Sequence, residues 1–246
     1  MPGPEKVFPQ SAFVAAAGLG TRMRPLTDST PKPLLRVAGR SLLERLLDTL
    51  AAGGIRHCIV NLHHLGDQIR SHIEARQQPL PAVTFSDESG LLLETGGGVC
   101  KALEHLGPDP FVVANSDVVW IEAGENCLRR LGRHWDSQSM DALLLLVPGE
   151  RTVGYDGTGD FLIDDRGRLR RAKAGADDAL VFGGLQILHP RLFAGLQATP
   201  FSLNRIYDRA GRAGRLYGLV HDGRWLHVGT AEALALADST LAKAAP

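Results

Sequence analysis

The 246-residue chain is 44% apolar, 22% charged and 6% aromatic, as ordinary soluble domains are, and folding at this length removes roughly 70–75% of the chain's surface from water. Its 27 basic and 27 acidic residues cancel, so bulk charge offers no attraction to nucleic acid or an anionic membrane, and any bound anion must be held locally. Three cysteines without a Cys-x-x-Cys pair, no apolar run near the ~20 residues of a membrane helix, and an amino-terminal decapeptide without an apolar stretch argue against a disulfide scaffold, a zinc site, a membrane span and a signal peptide; a reducing cytoplasm is the expected home.

Short β-type runs alternate with helical spacing through the first 150 residues. Residues 11–17 read as a strand, followed by a Gly/Pro-rich loop over 18–33. Ser41 is placed to cap a helix carrying Leu42, Leu43, Leu46, Leu47 and Leu50 and ending at Gly53-Gly54. Strands at 58–61, 83–86, 111–115 and 142–147 alternate with helices at 67–75, 99–106 and 126–135. The spacing predicts an α/β fold, a doubly wound, Rossmann-like and mainly parallel sheet with helices on both faces. After Gly149, short β-rich pieces at 160–163, 169–172 and 179–188 predict a small antiparallel lobe. Helices at 190–196 and 203–213, strands at 216–220 and 225–228, and a closing helix at 231–244 follow. No repeat or linker divides the chain, so residues 1–246 are expected to form one domain of two subdomains, near 11–148 and near 149–230, which the resemblance drawn below implies to be nucleotide-binding and sugar-phosphate-binding.

The segment Ala15-Ala16-Ala17-Gly18-Leu19-Gly20-Thr21-Arg22-Met23-Arg24-Pro25-Leu26-Thr27, followed by Pro31-Lys32-Pro33-Leu34, carries the clearest chemistry. Small residues after a strand let backbone N–H groups close on an anion, and the arginines add charge-assisted bonds, so polyphosphate is the natural ligand. It is neither a Walker A loop nor a dinucleotide fingerprint: no Gly-Lys-Ser/Thr follows, and Met23 occupies the place of the third glycine. Lys32 is one of only five lysines and is fixed between two prolines.

These motifs resemble the sugar-1-phosphate nucleotidylyltransferases, whose loop reads Gly-x-Gly-Thr-Arg-Met/Leu-x-Pro-Leu-Thr before Pro-Lys-Pro. The likeness is greatest to the short uridylyltransferases that act on N-acetylmuramic acid 1-phosphate in cell-wall recycling. It runs through Glu94-Thr95-Gly96-Gly97-Gly98, Asn115-Ser116-Asp117-Val118, Gly159-Asp160-Phe161, Leu188-His189-Pro190 and Trp225-Leu226-His227-Val228-Gly229-Thr230. The resemblance implies transfer of a nucleotidyl group from an NTP, UTP favoured, to a sugar 1-phosphate, with pyrophosphate released. It implies nucleotide binding by Ala17, Gly18, Gly20, Thr21, Arg22, Thr95, Gly96, Gly97 and Asn115, and catalysis by Lys32, Arg22 and Asp117. Gly159, Asp160, Lys173 and Gly184 lie where the sugar-phosphate pocket is expected. A divalent ion, Mg²⁺, is implied at Asp117, although on spacing alone an aspartate capping the turn after a strand is the plainer reading. Where the family has a second carboxylate this chain has His227, which suits Mn²⁺ or Co²⁺ better, or approaches the ion through water, or does not touch it; Asp222 on the preceding turn is a conceivable stand-in. His63 and His64 follow a strand and read as a capped or solvated pair near the substrate, and Cys58, Cys100 and Cys127 as small core residues. A monomer or small homo-oligomer is expected. The rival readings are a glucose- or mannose-1-phosphate thymidylyl- or guanylyltransferase and a nucleotide-sugar-binding regulator without turnover.

Overall fold

In the computed structural model, which describes residues 8–76, 81–173 and 175–244, the first apolar run forms β1 (Ser11–Ala15) with its three central side chains fully buried. Most of the amino-terminal decapeptide therefore lies outside the described residues. The glycine-rich loop leads through a short turn, α1 (Leu26–Ser29), and a small hairpin, β2 (Arg36–Val37) and β3 (Arg40–Ser41), into α2 (Leu42–Ala52). Ser41 starts α2 with a reciprocal cap: its Oγ accepts from the Glu44 N–H at 3.1 Å, and Glu44 Oε2 accepts from the Ser41 N–H at 3.0 Å. The five expected leucines form its buried face.

Next come β4 (His57–Leu62), α3 (Gly66–Glu74), β5 (Ala82–Asp87), α4 (Glu94–Leu106), β6 (Phe111–Asn115), β7 (Val118–Ile121), α5 (Cys127–His134) and β8 (Ala142–Val147). The remainder comprises β9 (Thr152–Val153), β10 (Phe161–Ile163), β11 (Leu169–Arg171), β12 (Val181–Leu188), α6 (Asn204–Arg212), β13 (Leu216–Val220), β14 (Arg224–His227) and α7 (Ala231–Ala244). Seven strands build the central sheet in the order β13-β8-β12-β6-β1-β4-β5. All pairings are parallel except the two made by β12. Alternation along β1 sends Ala12 and Val14 to one face, against α2, α3 and α5, and Phe13 to the other, against α4 and α6. No helix among the described residues is long and apolar enough to cross a membrane.

Three expectations need correcting. Residues 179–188 do not join an antiparallel lobe, because β12 is a nearly continuous buried run and inserts between β6 and β8; β13 extends the same sheet. After β8, the strands outside the central sheet are the β10–β11 hairpin and β9 and β14, which join β7, a strand the alternation did not mark, in a three-stranded sheet, β7-β14-β9. Helix α4 begins at Glu94 rather than 99, so the three glycines lie inside it, and 190–196 is only a 3₁₀ turn over Pro190–Phe193.

Candidate active site

Two tryptophans fix the ribbon that carries the charged residues. Strand β12 bulges between Phe182 and Gln186, with Gly184 at φ +74°, a region open to glycine at little cost. The bulge turns the Gly183 carbonyl toward β7 and β14, where it accepts from Trp120 Nε1 at 2.9 Å and Trp225 Nε1 at 3.0 Å. Trp120 and Trp225 face each other in the β7–β14 register, so a buried pair locks the ribbon to the central sheet. Asp117 precedes β7 and His227 ends β14, which brings both to one end of the ribbon.

At that end Lys32 Nζ donates to Asp117 Oδ2 at 2.6 Å, and His227 Nε2 lies 3.9 Å from the same oxygen. Lys32 and Asp117 side chains keep 13% and 26% of their exposure, so the pair is sheltered yet reachable. The His227 ring stacks on Trp225, with centroids 5.6 Å apart and planes at 8°. Burial pushes its pKa below the ordinary imidazole value; Asp117 opposes that shift, while Lys32 and Arg22 add to it. A neutral imidazole, able to offer a lone pair, is the result at neutral pH.

The phosphate loop is shaped from beneath. Gly20 takes φ +63°, and a Cβ there would meet Thr27 Cγ2 at 2.9 Å, whereas Gly18 faces open space. Thr27 Oγ1 donates to the Gly20 carbonyl at 2.9 Å, and His64 Nε2 bonds the Thr27 carbonyl at 2.9 Å. His63 bonds the Glu88 carbonyl through Nδ1 at 2.7 Å, so both histidines brace backbone. Asn61 Oδ1 accepts from the N–H groups of Ala16 and Ala17 at 2.6 and 3.1 Å, and its Nδ2 donates to Glu88 Oε1 at 2.8 Å. Glu88 Oε2 in turn accepts from the Leu93 N–H at 3.0 Å. With Asn61 4% and Glu88 2% exposed, this chain of bonds ties the loop after β1 to the start of α4.

Asn61→Asp exchanges the donor to Glu88 for a second carboxylate. About 3 kcal/mol or more of stability, roughly 10 °C in Tm, is the expected loss, as buried unpaired charges cost. Because like charges raise a shared proton's pKa, the deficit shrinks as pH falls. Thermal melts at pH 5 and pH 8 check this; equal melting of variant and parent at pH 8 contradicts it.

A cleft of about 370 Å³ lies over the loop, lined among others by Ala17, Gly18, Gly20, Thr21, Arg22 and Lys32, and by Glu94, Thr95, Asn115 and Asp117. Glu94 holds φ +57°, an unfavourable region for a residue with a Cβ, at the mouth of this cleft. A second cavity, about 190 Å³, shares Asn115 and Asp117 with the first and continues past His227, Tyr155, Asp160 and Arg171.

The sequence matches a known family. A family model described as "MobA-like NTP transferase domain" matches residues 12–202. The chain belongs to the MobA-like NTP transferase domain family. It is 39% identical over 238 residues to a Caulobacter vibrioides protein named N-acetylmuramate alpha-1-phosphate uridylyltransferase, covering 96% of this chain and 98% of that one. A protein of the same name from Neisseria meningitidis is 36% identical, with 89% and 93% covered. HddC from Yersinia pseudotuberculosis, solved in complex with GMP-PN, superposes with a TM-score of 0.76 at 21% identity over 94% of this chain and 99% of that one. A UDP-glucose pyrophosphorylase complexed with UDP-glucose superposes at 0.75, with 16% identity and 96% and 99% covered.

In this NTP transferase the loop residues, Lys32, Thr95, Asn115 and Asp117 line one cleft, while Asp160 and His227 line the adjoining cavity. Gly96 and Gly97 stand apart from both linings: their N–H groups donate to the Phe201 carbonyl at 2.8 and 3.2 Å. Side chains there would strike the Phe201 ring and the Thr199 carbonyl, and a Cβ on Gly98 would meet Glu88 Oε1 at 2.7 Å. The glycine run thus lets α4 approach the 199–201 segment and the buried Asn61–Glu88 network.

Gly159 (φ +92°) packs against Ala179, Gly184 packs against Asn115 and Val118, and Lys173 is exposed; none of the three lines either cavity. Asp160 lines the smaller cavity, and its Oδ2 accepts from the Phe182 N–H at 2.8 Å. Asp222 ion-pairs with Arg130 at 2.8 Å at the far end of the β7–β14 ribbon, beside Glu122 and His221, and so cannot replace the family's carboxylate near Asp117. Asn61, two residues before the His63-His64 pair, is not singled out by sequence, and neither are Glu88 and Arg171, which carry no motif.

Proposed function

We propose that this enzyme transfers the uridylyl group of UTP to N-acetylmuramic acid 1-phosphate, giving the UDP-sugar and pyrophosphate. The observation that carries the reading is the meeting of two cavities at Asn115 and Asp117, one over a basic glycine loop and the other over an aromatic, polar lobe, with Lys32 at the junction. UTP and the muramic sugar, rather than other NTPs and sugars, are supported by the names of the Caulobacter and Neisseria relatives, which align along most of the chain.

The reaction needs no covalent intermediate and no general base, because the sugar phosphate is already an anion. Its barrier lies in bringing two anions together and in charge growing on the departing pyrophosphate, so catalysis is positioning and charge neutralisation. The loop amides and Arg22 hold the triphosphate. Lys32, sheltered beside Asp117, neutralises the α-phosphate as the sugar phosphate oxygen attacks in line and the bond to pyrophosphate breaks. Asp117 and a neutral His227 offer an oxygen and a nitrogen donor on one side of the junction, and these two side chains would hold a divalent cation. When bound, such an ion supplies further neutralisation of phosphate charge. The buried, free thiols of Cys58 and Cys127 fit a reducing cytoplasm.

The test is pyrophosphate release with ATP, CTP, GTP, dTTP and UTP against a panel of sugar 1-phosphates. The highest kcat/KM is expected for UTP with N-acetylmuramic acid 1-phosphate; a preference for GTP with mannose 1-phosphate or dTTP with glucose 1-phosphate overturns the substrate assignment.

A further inference from the structure

We propose that Arg171 binds the carboxylate of an acidic sugar 1-phosphate and so selects it over neutral sugars. The proposal rests on the reading above, since N-acetylmuramic acid differs from N-acetylglucosamine by a lactyl ether that ends in a carboxylate. A site for that sugar must offer the extra anion a cation, or leave it desolvated at high cost. Among the described residues lining the smaller cavity, Arg171 at the end of β11 is the only lysine or arginine. Of the two acids next to this aromatic wall in sequence, Asp160 accepts from the Phe182 N–H through Oδ2, and Asp208 is ion-paired with Arg171 through Nε on an exposed edge of the guanidinium.

The Arg171 guanidinium is held in place before any ligand arrives. Nε donates to Asp208 Oδ1 at 3.1 Å, and Nη2 donates to Asn204 Oδ1 at 2.9 Å and to its carbonyl at 3.2 Å. Its central carbon sits 4.8 Å from the Phe161 ring centre and 5.6 Å from that of Tyr207, two rings packed edge to face. Neighbours on one edge and faces against aromatic rings leave Nη1, which makes no hydrogen bond to a described residue, with its donors unused. A planar cation so fixed loses little freedom when it binds a carboxylate, which is the advantage of arginine over lysine in such a role. Asp208 and Asn204 belong to α6, so the helix that follows β12 sets the position of the charge.

The rival account makes Arg171 only a clasp between β11 and α6. Steady-state kinetics with UTP separate the two, using N-acetylmuramic acid 1-phosphate, its lactyl amide and N-acetylglucosamine 1-phosphate on the parent enzyme, Arg171→Gln and Arg171→Lys. The parent is expected to favour the acid over the amide, and Arg171→Gln to raise KM for the acid about 10- to 100-fold, the range of a hydrogen bond to a charged group, with kcat little changed. For the amide and the neutral sugar the same variant should shift KM by less than about threefold, and Arg171→Lys should recover part of the preference. A uniform loss on all three substrates, unrescued by lysine, overturns the proposal and leaves the clasp. A parent enzyme that ignores the acidic sugar and turns over neutral ones refutes the substrate reading itself, and the role of Arg171 with it. A parent that uses the acid, with an acid-to-amide ratio unchanged in Arg171→Gln, refutes the role of Arg171 alone.

Discussion

Lys32→Ala is expected to lower kcat about 10²- to 10³-fold, corresponding to about 3–4 kcal/mol for a sheltered charge contact that strengthens as the transition state forms. The geometry sharpens how this should look. Lys32 Nζ is 2.6 Å from Asp117 Oδ2, so alanine removes both a positive charge from the junction and the partner of the carboxylate. Were the ammonium only a brace for Asp117, the loss would appear as weaker binding of the divalent ion and would be repaired by raising its concentration. A charge that neutralises the α-phosphate is instead missed at saturating NTP, sugar phosphate and metal. Single-turnover rates under saturation, with metal titrated over three decades, distinguish the outcomes; recovery to within threefold of the parent refutes the α-phosphate role. Folding should change little, because Asp117 keeps enough exposure to be solvated once its partner is gone.

What could be read directly from the chain was what lies close together in it. The strand, glycine loop, Arg22 and Pro31-Lys32-Pro33 are nearly contiguous and read as an anion site from local pattern, whereas Asp117, after an apolar strand, is singled out only by the family resemblance; all of them border the larger cleft. The errors concern partners distant in sequence. Nothing local distinguishes an apolar run that closes a small lobe from one that enters the central sheet antiparallel, and β12 is decided by β6 and β8 on either side. Gly96 and Gly97, expected to bind nucleotide, are packed against the 199–201 segment and line neither cavity. Lys173 and Arg171 differ by two positions, yet only Arg171 meets the aromatic pair Phe161 and Tyr207 and two polar side chains from α6. Asn61 and Glu88 gave no motif because their work is to bond backbone and each other, and that shows only once β4 and the start of α4 are adjacent.

Asp117→Asn should reduce activity about 10³-fold, in keeping with the several kcal/mol of transition-state stabilisation that a divalent ion provides. Asparagine keeps the shape and can still accept from Lys32 through its amide oxygen, so the parent's melting temperature should be nearly retained and the loss should lie in chemistry. His227→Asp asks the complementary question, because it introduces the carboxylate that the resemblance to sugar-1-phosphate nucleotidylyltransferases implies at this point. The imidazole Nε2 and the Asp117 oxygen stand 3.9 Å apart, close enough to face one ion together. An imidazole nitrogen favours later transition ions over Mg²⁺, whereas two carboxylates favour the harder ion. The variant is therefore expected to move the order of activity toward Mg²⁺ and away from Mn²⁺ and Co²⁺. The pH profile supplies an independent reading. Burial lowers the pKa of His227, so it stays neutral down to a pH below the ordinary value of about 6.5, and the parent's acid limb should begin there rather than near neutrality. In His227→Asp that limb should disappear, leaving only titration of carboxylates and phosphates at lower pH. An unchanged metal order together with an unchanged acid limb would place His227 away from the ion, stacked on Trp225 as a wall of the sugar cavity, with Asp117 the sole side-chain ligand.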